Sequence, residues 1–323
     1  MRKRKVTVLL LIVTLSALLL LANVFYPADP SGYNAALNTN AAFQRDSLEE
    51  PEDKVTNIAL FGIDTGREKY ESAHSDAIMV LSIDKVYKKI KLTSFMRDTY
   101  VEIEEHGKDK LNAAYALGGP ELAVKTINQN FGLDITDYAI VDFVGLSNII
   151  DTMGGVEVEV KEQEIQEVNK YMKEVAEIKK EKATPVKKAG LQLLNGNQAT
   201  AYSRIRKVGE GDFDRAERQK NVLSALYKKL EDQGITKYPG IVATLLPYVK
   251  TSLSAGEIVT NGLDVLTQEI GNIDWYRFPL YGYCKGEIIK GVWYLTTDLT
   301  LTRDHIHQFI YQDVKVEPLK ESF

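Results

Sequence analysis

Seven charged residues stand at the ends of apolar runs, where they could do chemistry together. Asp64 follows IALFGI, Asp76 opens AIMVLSI, Arg97-Asp98 comes just after KIKLTSF, and Arg204 and Arg206 precede GDFDRAERQ, which supplies Arg215. In α/β sheets the strand ends open into the crevice where ligands bind. Aspartates offer the hard oxygen ligands that Mg2+ takes, and guanidinium forks match phosphate oxygens, so the set suits a divalent cation with a diphosphate. Arg218 and Gln219 lie three and four residues beyond Arg215, on one face of a first helical turn whose amide groups and dipole favour an anion. Each residue also has a simpler reading. Asp64 in GIDTG is a turn former, Asp76 a solvated strand start, Arg97-Asp98 a surface pair, and Asp214 with Glu217 a capping box. The spacing of Arg204 and Arg206 is itself informative: in an extended segment both face one way, whereas on a helix they lie about 200° apart.

The elements that must position these residues are legible as periods. TNIALFG (56–62), AIMVLSI (77–83) and KIKLTSF (89–95) have strand length and pattern. ELAVKTINQNF (121–131) has helical spacing and a stop at Gly132. DYAIVDF (137–143) and GVEVEV (155–160) flank a short apolar helix, GLSNIIDTM. Residues 161–183 are charge-rich and read as a solvated helix, and 214–233 as an amphipathic one with Val222, Leu223, Leu226 and Leu230 on its core face. The last part, 255–312, offers a helix, two strands around WYRFPL and VWYLTT, and a final helix near 303–312. Alternating strands and helices imply an α/β class, an α-β-α layered domain with a central mixed sheet.

Composition limits the partners. The 323 residues carry 40 Lys+Arg against 45 Asp+Glu, a net charge of -5, which argues against nucleic-acid binding. Four of the positive charges, Arg2 to Lys5, directly precede residues 6–26, an uncharged stretch of about 30 Å as helix. That pattern predicts an uncleaved transmembrane helix with residues 1–5 in the cytoplasm. Residues 27–55, with Pro27, Pro30, Gly32 and Pro51, read as a tether, and 56–323 as one extracytoplasmic domain. A single Cys284 excludes a disulfide framework. The signatures G-x-x-x-x-G-K-[ST], G-x-S-x-G and H-E-x-x-H do not occur.

Taken in order, NIALFGID, AHSDAIMVLSID, LTSFMRDTYVEI, DKLNAAYALGGPELA, GGVEVEV, LNGNQATAYSRIR and GDFDRAERQ resemble the LytR-CpsA-Psr family of cell-wall phosphotransferases, over about residues 56–230. The resemblance implies a membrane-anchored enzyme that takes a glycopolymer, such as teichoic acid or capsule, from a polyprenyl-pyrophosphate lipid. It joins the polymer to peptidoglycan by a phosphodiester and releases polyprenyl phosphate. It also implies Mg2+ held by Asp64 and Asp76. Arg97, Lys110, Arg204, Arg206, Arg215 and Gln219 would bind the pyrophosphate, with Arg97, Asp98 and Asp212 catalytic. The chain departs from the family pattern in three places: His74 before Ser75-Asp76 where members have Arg, Met96 where many have Pro, and Ala113 where many have His. The older family label of transcriptional attenuator conflicts with an outward-facing domain.

A polyprenyl pyrophosphate carries its own leaving group, so such an enzyme needs only alignment of an acceptor hydroxyl and stabilisation of the departing phosphate. Asp98 or Asp212 is the candidate general base. Ile140, Phe143, Val144, Leu146 and Ile149 are candidates for a prenyl groove, or ordinary core. A hydrolase acting on the same lipid and a non-enzymatic wall-binding or regulatory protein are the alternatives.

Overall fold

The computed structural model describes residues 55–63, 75–205, 238–254 and 272–319, with scattered positions within 207–229 and 256–261. The strands are β1 (Val55–Ile63), β2 (Ser75–Asp84), β3 (Lys89–Phe95), β4 (Tyr100–Ile103), β5 (Gly107–Lys110), β6 (Asp137–Asp142), β7 (Val156–Val160), β8 (Gly190–Leu194), β9 (Lys250–Thr251), β10 (Asn272–Phe278), β11 (Cys284–Ile289) and β12 (Val292–Thr297). The helices are α1 (Ala113–Phe131), α2 (Phe143–Thr152), α3 (Ile165–Ile178), α4 (Gly196–Ser203), α5 (Tyr238–Leu245) and α6 (Leu299–Gln312). The first three strands fall where the apolar runs place them.

Six strands form one mixed sheet in the order β10-β3-β2-β1-β6-β9, and β4-β5, β7-β8 and β11-β12 are separate two-stranded ribbons. β1 pairs antiparallel with β2 and parallel with β6, while β3 is antiparallel to β2 and parallel to β10. Central strands buried on both faces become continuous apolar runs, and β1 divides its side chains accordingly. Ile58 and Leu60 enter one core, Ala59, Phe61 and Ile63 the other. The first core is closed by α2, α3 and α4 with Val222, Leu226, Val242 and Leu245, and the second by α1 and α6. The domain is therefore an α-β-α sandwich around a mixed sheet, as expected.

Several local expectations change. The helix read over 121–131 is the second half of α1, which begins at Ala113 and is interrupted at Gly118-Gly119 before Pro120 restarts it. Gly119 has φ 70 and ψ -164, a backbone region only glycine occupies easily. The charge-rich stretch 161–183 is more than a solvated helix, because α3 buries Val168, Met172, Val175 and Ala176, the first two in the first core. Val222 and Leu226 are buried as the amphipathic pattern requires, whereas Leu223 and Leu230 lie outside the described residues. No helix among the described residues is long and apolar enough to cross a membrane, and residues 6–26 lie outside them.

Candidate active site

The register of the sheet gathers the charged positions at one end. β1 and β2 pair Gly62 with Ala77 and Ile63 with Ser75, with a slip between Gly62 and Ile63. Ile63, the last residue before Asp64, is thus beside the strand start that contains Asp76. Ile78 pairs with Phe95, so β3 finishes where β2 begins and delivers Arg97-Asp98 to the same end. Ile63 also pairs with Asp142, which puts Phe143 there, and Phe278 of β10 pairs with Phe95. The carboxyl ends of β1, β3, β6 and β10 all open on this side, the place where α/β sheets bind ligands.

The turn after β3 is fastened on three sides. Leu111 N donates to Thr99 O, Asn112 N to Arg97 O and Leu295 N to Asp98 O, at 2.9, 3.0 and 2.9 Å. Within it, Lys110 Nζ lies 2.6 Å from Asp98 Oδ1 and Arg97 Nε 3.5 Å from Asp98 Oδ2. Asp98 is nearly buried while Arg97 and Lys110 keep part of their surface, so one carboxylate holds two partly exposed cations. Lys110 also stands 5.7 Å from the Trp293 ring and 5.9 Å from that of Tyr294. These aromatic partners could not be anticipated locally, since Leu295 meets Thr99 only through one long-range bridge.

Arg204 follows α4 in a helical conformation, φ -96 and ψ -5, so an extended run does not begin at this residue. Its guanidinium lies 4.4 Å from the Phe143 ring centre and 5.3 Å from that of Tyr171, with Glu174 Oε2 3.5 Å away. Stacking on Phe143 carries Arg204 to the end of β6, and aromatic faces attract a guanidinium without consuming its hydrogen-bond donors.

Arg218 is committed inside the fold and does not face a ligand. Arg218 Nε is 2.6 Å from Glu164 Oε1 with both side chains buried, and its two terminal nitrogens donate to Ile205 O and Val208 O at 3.2 and 3.1 Å. It is a structural clasp on the segment around Arg206. The partner lies 54 positions away in the chain, which is why the motif alone suggested an anion seat instead.

Asp64, His74, Arg206, Asp212, Arg215 and Gln219 lie outside the described residues, and Asp76 is placed by its backbone alone. Among the described residues no group of three or more His, Cys, Asp or Glu gathers. The pairing of Ile63 with Ser75 sets the end of β1 beside the strand start that contains Asp76, and carboxylates have the hard-oxygen chemistry Mg2+ requires. The proposed prenyl groove is corrected in part. Leu146 and Ile149 are fully buried in the first core and Ile140 belongs to the second, so these three are ordinary core. Only Phe143 and Val144 keep some exposure.

The chain matches the LytR_cpsA_psr family over residues 28–308. It belongs to the LytR-CpsA-Psr family. Relatives of this family member include the regulatory protein MsrR of Staphylococcus aureus, 34% identical over 214 residues, 65% of this chain and 60% of that protein. The polyisoprenyl-teichoic acid--peptidoglycan teichoic acid transferase TagV of Bacillus subtilis is 31% identical over 241 residues, 73% of this chain and 58% of that one. The chain thus spans about three fifths of the length of these curated relatives. Among solved structures, TagT bound to LI-WTA aligns with a TM-score of 0.60 and 26% identity, covering 84% of this chain and 95% of that one.

Proposed function

We propose that this family member transfers a glycopolymer from a polyprenyl-pyrophosphate lipid to peptidoglycan. The observation that carries the reading is the cationic pair Arg97 and Lys110 clamped by Asp98 at the sheet end that also receives Asp76 and the Phe143-stacked Arg204. The names of TagV and TagT support a wall glycopolymer as the cargo. An acceptor hydroxyl of peptidoglycan attacks the phosphorus that carries the polymer, the bond from that phosphorus to the bridging oxygen breaks, and polyprenyl phosphate leaves. Arg97, Lys110 and Arg204, with Arg206, Arg215 and Gln219, bind the phosphate oxygens and stabilise the charge on the leaving group. Both oxygens of Asp98 face cations, so its role is to position Arg97 and Lys110, and Asp212 is the residue assigned to take the hydroxyl proton. Asp64 and Asp76 would hold Mg2+, which when bound neutralises the pyrophosphate.

The reading includes residues 6–26 as a membrane anchor with residues 1–5 cytoplasmic, 27–55 as tether, and the domain on the outer face of the cell membrane. Protease added to protoplasts should then digest the domain; full protection would overturn this topology. For the reaction, the full chain is incubated with a labelled pyrophosphate-linked lipid precursor and peptidoglycan, with Mg2+ or with chelator. Label joined to peptidoglycan through a phosphodiester is expected only with Mg2+. Label released as free polymer phosphate would make the protein a hydrolase, and no turnover at all would leave a wall-binding role.

A further inference from the structure

The β11-β12 ribbon carries a surface that the transfer reaction does not account for. Its two-residue turn, Lys290 and Gly291, has φ 52 and 84, the left-handed pair of a tight hairpin turn, so the tip is narrow. The cross-strand pairs from the tip inward are Ile289 with Val292, Ile288 with Trp293, Glu287 with Tyr294 and Gly286 with Leu295. Ile288 is 75% exposed and Val292 45%, an unusual display for large aliphatic side chains at the end of a projecting ribbon. Trp293 lies across β11, where a Cβ on Gly286 would come within 2.7 Å of its Nε1. The ribbon therefore carries aliphatic side chains at the tip, Trp293 and Tyr294 behind them, and the charged and polar Glu287, Lys285, Thr296 and Thr297 toward its base, where Lys285 pairs with Glu287.

We infer that this hairpin is a wedge that enters the interfacial region of a lipid bilayer and sets the height of the active site above it. Tryptophan and tyrosine settle at the boundary between headgroups and hydrocarbon, and apolar faces of surface-bound segments sink about 5–10 Å into it. Two aliphatic-bearing pairs at about 3.4 Å per residue fit that depth. Lys290 at the turn reaches back to lipid phosphates along its own stem. The ruler is the strand itself, tied to the site by a backbone hydrogen bond. Leu295 N donates to Asp98 O, and Leu295 is three residues from Val292, so the Asp98-Lys110 clamp stands about 10 Å from the tip. A clamp at that height stands within reach of a pyrophosphate at headgroup level.

The assignment takes from the proposed function only its membrane-borne donor, and its test needs no turnover. The chain has two tryptophans, so Trp275→Phe leaves Trp293 as the sole reporter. The full chain is reconstituted with phosphatidylglycerol and phosphatidylethanolamine vesicles whose acyl chains are brominated. Trp293 emission should shift to the blue and be quenched, and Ile288→Asp with Val292→Asp should abolish the quenching while leaving the far-ultraviolet spectrum unchanged. If Trp275→Phe impairs folding, bimane on Ile288→Cys in a Cys284→Ser background gives the same readout at an exposed position. Emission insensitive to bromolipid but quenched by aqueous iodide would overturn the wedge. So would a shift produced by soluble peptidoglycan fragments instead of lipid, which would make the ribbon a glycan platform. Quenching in a chain that transfers nothing keeps the wedge and refutes the transferase; transfer with no quenching does the reverse.

Discussion

Removing Glu164 should release Arg218 and, with it, the Ile205 and Val208 carbonyls it holds just after Arg204. The carboxylate and guanidinium are both withdrawn from water, 1% and 3% exposed, so Glu164→Ala leaves a buried cation without its counter-charge. Breaking such a pair from one side costs about 3–5 kcal/mol. For a domain of this size each kcal/mol moves the midpoint by about 2–4 °C, so a fall of roughly 6–20 °C is expected. Replacing both partners, Glu164→Leu with Arg218→Met, should cost less than the sum of the single changes, with a coupling of about 0.5–3 kcal/mol, because no charge is stranded. Arg218 also donates to Ile205 O and Val208 O on either side of Arg206, so Glu164→Ala should weaken donor binding as well. Urea denaturation of the four-member cycle and binding of the lipid precursor measure both. A single-mutant loss below about 1 kcal/mol, with additive effects and unchanged binding, would refute the clasp.

Three further outcomes are expected. Lys110→Met should abolish polymer transfer with little change in melting temperature, while Lys110→Arg should recover part of it; loss of fold with loss of activity would make the Asp98 contact structural. Burial lowers the pKa of His305, against a small opposing pull from Asp304, so the folded state favours the neutral ring. This contribution is complete above the unfolded pKa near 6.5 and is lost as pH falls through the lower folded value, so His305→Phe should flatten the acid side of the stability profile below pH about 6.5. Burial pushes the Cys284 thiol up to about 11, so iodoacetamide at pH about 8 should label it slowly in the native protein and quickly in urea; rapid native labelling would contradict that burial.

The parts of this molecule that were legible from sequence are those where one period dominates. β1, β2 and β3 are buried on both faces, and α1 ends at Gly132 with φ 65, the left-handed stop its glycine announces. Of the β4-β5 ribbon, β5 was missed because GKDK is exposed or half-exposed throughout, and β4, which does bury Val101 and Ile103 in alternation, because four residues are at the lower limit for a strand period to show. Helix α4 was missed for the opposite reason: all eight of its residues are buried, so no amphipathic stripe exists. In the site, Arg97, Asp98 and Lys110 were found by motif and do come together. The aromatic surroundings of Lys110 and Arg204, and the clasp between Glu164 and Arg218, depend on contacts between distant parts of the chain that no local spacing encodes.

The placing of β10 and α6 on strands made much earlier has a consequence for the newborn chain. Lys91 in β3 is fully buried in the finished domain and donates to the Ile310 carbonyl, 219 positions downstream. At about 5–20 residues per second, synthesis of that interval takes on the order of 10–40 s. Until β10 is made, late in that interval, β3 waits with one side unpaired and the second core open, the condition in which an apolar strand captures other chains. Lys89 and Lys91 lie on that waiting strand, and a charged strand edge discourages such capture. When Asp274 and Asp313 arrive they meet Lys89 at 3.2 and 2.7 Å, and the charges that guarded the unfinished sheet become the ion pairs that close it.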